Sequence, residues 1–253
     1  MPGRRASPWR CESNGYKDWN ALLVTVQGQD WGEANFYRLT LEAKAQHELK
    51  NDYAFQTVWR KALRECNQRL ERLSRLALLC SAWGWKPEKM ETLRQLNTQF
   101  PKDRWALAQL MDALYTDGNS RELKDALART CATDPSDVRL KNALANVSLL
   151  RKSEVDKACR LAREAYDSLP NDPFVISTYS YSLLLQNNLN EAVKIAGNLK
   201  PDALKDPAIA GIFGVVQAHA GHKELAKEPL ECAELGALLP EEKEIVRLAR
   251  AGL

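Results

Sequence analysis

The chain has 253 residues, 45% of them hydrophobic, enough to bury the core of one large or two ordinary domains. Thirty-six basic residues against 33 acidic ones leave a net charge of +3, too even a balance to hold nucleic acid or a membrane surface by bulk charge. Six cysteines lie scattered without a CxxC pair, which excludes a disulfide scaffold and a thiolate metal site and points to reduced thiols and a cytoplasmic location.

Residues 1–17 carry Arg4, Arg5, Arg10 and Lys17 among prolines and glycines, and read as a disordered or misassigned basic start with no apolar stretch fit for a signal peptide. No apolar run approaches the roughly 18 residues that cross a bilayer, so direct membrane insertion is not expected. Trp19 to Val26 predicts a lone helix closed by Gly28-Gln29-Asp30, so that 18–35 forms an incomplete unit. From Gln56 to Leu79 no proline or glycine intervenes, and a break near Asn67 divides two helices there.

Farther on, three series keep step. Pro101, Pro135 and Pro170 are 34 and 35 residues apart, each at the end of a helical pattern, where proline stops a helix. Turn-formers fall at Gly84, Gly118, Ser153, Asn187 and Gly221, at intervals of 34, 35, 34 and 34. Small residues open the second helix of each unit at Ala158, Ala192 and Ala226, with Leu123 one interval earlier. A fixed period of this size marks a repeat array, each unit a helix, a turn and a second helix. Leu140, Leu144, Val147 and Leu150, followed by Val155, Ala158, Leu161, Ala162 and Ala165, show the two apolar stripes of one unit.

The stretches Asn188-Leu189-Asn190-Glu191-Ala192 and Ser168-Leu169-Pro170-Asn171-Asp172 resemble the second-helix opening and the repeat end of the tetratricopeptide family, notably its bacterial members. The resemblance implies an all-α, right-handed solenoid of about six antiparallel helix-hairpin repeats over 36–253. Its units are 36–69, 70–103, 104–138, 139–172, 173–206 and 207–240, with a closing helix in 241–253. The family's first-helix glycine is met by Gly214 and replaced by Ala77, Met111, Asn146 and Ser180. The aromatic residues near the start, Trp9, Trp19, Trp31, Phe36 and Tyr37, make a poor polar cap, so self-association through that end, or a place at the carboxyl-terminal end of a longer chain, is expected.

Chemistry is sparse. His47-Glu48 lacks the second histidine of a zincin, since Asn51 stands there, and His219-Ala220-Gly221-His222 reads as a solvated turn. No phosphate-binding glycine loop and no serine elbow occurs. No metal, no cofactor and no catalysis are expected.

The resemblance implies a non-catalytic scaffold whose first helices line a concave, protein-binding groove. Its candidate contacts are Trp105, Asp112, Tyr115, Val147, Phe174, Tyr181 and Leu184, an apolar and aromatic lining with Asp112 nearly its only charge. A Lys-x-x-x-Asn carboxylate clamp is absent, because Lys141 is followed four residues on by Ala145, so an apolar or amphipathic segment is the expected partner. The alternative is a nucleic-acid-binding repeat using Arg60, Lys61, Arg64, Arg69, Arg72 and Arg75, a reading weakened by the interrupting Glu65 and Glu71.

Overall fold

The computed structural model describes residues 18–28 and 31–253, and the basic start expected over 1–17 lies outside the described residues. Among the described residues there are fourteen α-helices, two short 3-10 helices and no strand, an all-α array of helix hairpins. None of these helices is long and apolar enough to cross a membrane. The chain forms two compact units, residues 1–79 and 80–253.

The first unit contains α1 (Trp19–Gln27), α2 (Asn35–Glu48), α3 (Asp52–Glu65) and the beginning of α4 (Leu70–Trp83). Asp18 caps α1 by accepting the Ala21 N–H at 2.9 Å, and Asn51 caps α3. Helix α1 packs on α2 and α2 on α3, around Phe36, Leu39, Phe55 and Trp59. Between α3 and α4 the chain breaks at 66–69, where Gln68 adopts a left-handed φ of 56°. A proline-free, glycine-free stretch thus still makes two helices, the buried Cys66 closing the first.

The second unit continues with α5 (Lys86–Gln99), α6 (Arg104–Thr116), α7 (Ser120–Thr133), α8 (Val138–Leu150), α9 (Val155–Ser168), α10 (Pro173–Leu185), α11 (Leu189–Ala196), α12 (Pro207–His219), α13 (Lys223–Glu234) and α14 (Pro240–Ala251). Its punctuation is periodic at atomic detail. Before Pro101, Pro135 and Pro170 stand Phe100, Asp134 and Leu169, with φ between −139° and −129° and ψ between 62° and 75°. Each donates its N–H four residues back, to Leu96, Thr130 and Ala165. After the turn an aspartate caps the next helix: Asp103, Asp137, Asp172 and Asp206 each accept N–H groups from the first turn. Inside each hairpin the last turn closes with a bond to the carbonyl five residues back, as in Asn119 N–H to Leu114, Ser153 to Ser148, Asn188 to Leu183 and His222 to Gln217.

The left-handed residue in these inner turns is Gly84, Gly118, Lys152, Asn187 and Gly221. The expected Ser153 is therefore one position late. The same slip affects the first-helix small residue, which is the fully buried Ala145 rather than Asn146, in step with Met111, Ser180 and Gly214. The hairpin after α7 starts at 138, where α8 begins, and its 35 residues, not those of its predecessor, absorb the irregular spacing. At Gly214 the small residue is required: a Cβ there would lie 2.6 Å from Leu230 Cγ on α13.

Candidate functional site

Helices α8, α10 and α12, the first helices of successive hairpins, pack in sequence, α10 touching both of the others. Helix α14 lies against the face they share. Its Val246 approaches Gly211 of α12 so closely that a Cβ on that glycine would meet Val246 Cγ2 at 3.1 Å. Val246 and Ala249 are buried in one cluster with Val215 of α12 and Ala226, Leu230 and Ala233 of α13. The polar face of α14 points outward, with Lys243, Glu244 and Arg247 exposed.

The start of α14 reaches much farther back in the chain. Pro240 sits at Gly118, and Glu241 accepts hydrogen bonds from Ser120 Oγ and, at 3.2 Å, from Arg151 Nη1. Glu242, only 3% exposed, accepts on Oε2 from the Tyr115 hydroxyl and from the Leu239 N–H, the latter a capping bond. Burial pushes the Glu242 carboxyl above its ordinary range, Asp206 and Glu241 adding to the effect while the two hydrogen bonds oppose it. Burial, with the Glu242 charge beside it, also raises the Tyr115 phenol.

Two hollows remain beside α14. The first, about 500 Å³, is lined by Arg139, Asn142 and Asn146 of α8, Phe174 and Ser177 of α10, Ile212 of α12, and Glu242. The second, about 520 Å³, is lined by Tyr181 and Leu184 of α10, Val215 and His219 of α12, and Ile245 and Leu248 of α14. In the first, Arg139 pairs with Asp172 at 3.5 Å. The Oδ1 of Asn142 is buried there without a hydrogen-bond partner, an omission that costs about 1–3 kcal/mol.

The expected contact residues divide among these places. Phe174, 54% exposed, stands at the first hollow, and Tyr181 and Leu184 at the second. Tyr115 is held by Glu242 of α14. Asp112 lines a small hollow of about 140 Å³ with Lys86, Lys89 and Met90, and Trp105 is partly exposed at the start of α6. Val147 is buried, and α8 presents Arg139, Asn142 and Asn146 to the hollow instead. The one-residue slip in this hairpin explains the difference, since one position turns a helix by about 100°. A lining expected to be apolar therefore contains a guanidinium, two amides and a carboxylate. The missed signal was the aspartate series at 103, 137, 172 and 206, which fixes where each first helix starts.

The arginine stripe of the first unit is partly spent. Arg72 donates to the Glu33 carbonyl at 2.9 Å with its guanidinium 5.1 Å from the Phe36 ring, and Arg75 donates to the Tyr37 hydroxyl. Lys61, Arg64 and Arg69 instead line a hollow of about 530 Å³ with Arg38, Glu65 and Asn67. His219 Nδ1 lies 2.8 Å from the Val215 carbonyl and His222 Nδ1 2.8 Å from Gln217 Oε1, so both rings of the His-Ala-Gly-His turn are engaged locally. No group of three or more histidine, cysteine, aspartate or glutamate side chains is placed to hold a metal among the described residues. The described cysteines are free thiols, and burial pushes Cys66 and Cys80 up to about 12, which keeps them protonated and unreactive.

No family model and no curated protein matches the sequence. Among solved structures, a tetratricopeptide repeat protein from Parabacteroides merdae is 15% identical with a TM-score of 0.48, over 92% of this chain and 91% of that one. YrrB, described as a TPR protein with an unusual peptide-binding site, is 16% identical with a TM-score of 0.47, over 76% and 97% of the two chains. TTC0263, a thermophilic TPR protein of Thermus thermophilus, is 15% identical with a TM-score of 0.47, over 72% and 98%. The chain is thus similar to tetratricopeptide-repeat proteins of known structure.

Proposed function

We propose that this protein is a non-catalytic interaction module that receives an amphipathic segment of a protein partner on the face shared by α8, α10 and α12. One observation supports this above the others: an amphipathic helix, α14, already lies on that face, packed through Val246 and Ala249, with a hollow open on each side. A surface that accepts one helix through small residues such as Gly211 offers the same chemistry to a second. Phe174 is the exposed aromatic anchor of the first hollow.

The test is selection of displayed random peptides on the full chain, followed by binding measurements. Phe174→Ala is expected to weaken capture by roughly tenfold or more, the scale of a hot-spot aromatic, with an unchanged melting curve. Undiminished capture would place the binding surface elsewhere. Tyr181→Ala, a buried position, is expected to lower the melting temperature instead.

A second reading, nucleic-acid binding, is favoured by the convergence of Lys61, Arg64, Arg69 and Arg38 on one hollow. It requires RNA or DNA affinity that falls steeply with salt and disappears on reversing Lys61 and Arg64 to glutamate. A flat salt response removes it.

A further inference from the structure

We infer that the hollow beside the start of α14 is a receptor for one basic side chain, a lysine or arginine of the partner segment, seated between Glu242 and Asn142. This deepens the reading of that face as a binding surface and rests on it.

Two acceptors in the wall of the hollow lack a donor. The Glu242 carboxylate takes both its hydrogen bonds on Oε2, from Tyr115 and the Leu239 N–H, and makes no ion pair. The charges acting on it, Asp206 and Glu241, are both acidic. Asn142 Oδ1, on a side chain only 6% exposed, lines the same hollow and accepts nothing. A buried carboxylate is stabilised by a cation and a buried amide oxygen by an N–H, and an ammonium or guanidinium supplies both at once.

The molecule's own cations are committed elsewhere. Arg139, at the mouth, pairs with Asp172, and Arg151 pairs with Glu241 and Ser120. The remaining wall suits the stem of such a side chain. Ala143, Ala208, Ile209 and Ile212 give an apolar passage for methylenes, and the Phe174 ring stands half-exposed at the rim.

The experiment sequences the peptides that the full chain selects from a displayed random pool, in parallel with Glu242→Gln and Asn142→Leu. Glutamine preserves the capping bond that glutamate makes at this position, so the first variant keeps the start of α14. The expected result is enrichment of lysine or arginine within an apolar context on the parent chain. Glu242→Gln should weaken capture of those peptides by roughly tenfold or more, and Asn142→Leu by a smaller factor. Enrichment of apolar peptides without a basic residue overturns the cation receptor and leaves the groove reading intact. Basic peptides held equally by parent and both variants overturn it as well, by placing them on other acids. Failure to enrich any peptide overturns both readings.

Discussion

Lys50 sits at the left-handed position of the α2–α3 turn, with φ 58°, where Gly84, Gly118 and Gly221 do the same work at one-repeat intervals. A side chain in that region carries roughly 1 kcal/mol of backbone strain that glycine avoids. Lys50→Gly is expected to raise stability by up to about that amount, read as a higher urea midpoint at constant slope. The converse holds at Gly214. Alanine there gains about 1 kcal/mol of helix propensity but thrusts a methyl into Leu230, and overpacking of this kind costs about 1–3 kcal/mol. Gly214→Ala should therefore lower the midpoint, and a rise would mean that α13 moves aside freely. Lys50 shows why the repeat was harder to read near the start: lysine gives no turn signal, so a turn in step with the later ones passed unnoticed.

Helix α14 is the element whose role sequence described least. An amphipathic closing helix was legible from its 240–251 pattern, because spacing of Glu242, Val246 and Ala249 marks one face. That this face packs on α12 while its first turn reaches Tyr115 and Ser120 was not, since contacts across some hundred residues leave no periodic trace. The raised carboxyl of Glu242 gives this docking a pH dependence. A group whose folded value exceeds its unfolded one stabilises fully below the unfolded value, and that contribution is lost as pH rises through the folded one. Protection of α14 amides from hydrogen exchange is thus expected to increase on acidification through the carboxylate range. The groups facing Glu242 are Tyr115 from α6, Asp206 ahead of α12, Glu241 on α14 itself and, across the hollow, Arg139 from α8. Only the acids among them titrate in that range, and their protonation removes repulsion with the same sign. Glu242→Gln should flatten the response, and an unaltered profile would trace it to Asp206 or Glu241.

Across the second unit, the repeat period was readable because every boundary reuses one set of atoms: a proline exit, an aspartate cap and a left-handed turn residue. The face that binds was harder to phase. A single residue assigned to the wrong hairpin turned α8 and exchanged Asn142 and Asn146 for Val147, which altered the inferred polarity of the lining. Deleting residues 240–253 removes the cover from Val215, Tyr181 and Gly211, and is expected to produce dye binding to newly exposed apolar surface along with a lower melting temperature. Retention of the parent melting curve would show that α14 contributes nothing to the fold.

The bond from Tyr115 to Glu242 joins positions 127 residues apart, in an architecture whose other contacts are between neighbours. Stacked repeats can ordinarily form one after another as the ribosome delivers them, and come apart piecemeal from either side. A clasp made by the last helix to be synthesised changes both processes. The hairpins from α6 onward wait for it to emerge, with their shared face bare to chaperones in the interval. Once it closes, they gain or lose structure together, so that fraying of a single hairpin is penalised by the whole set.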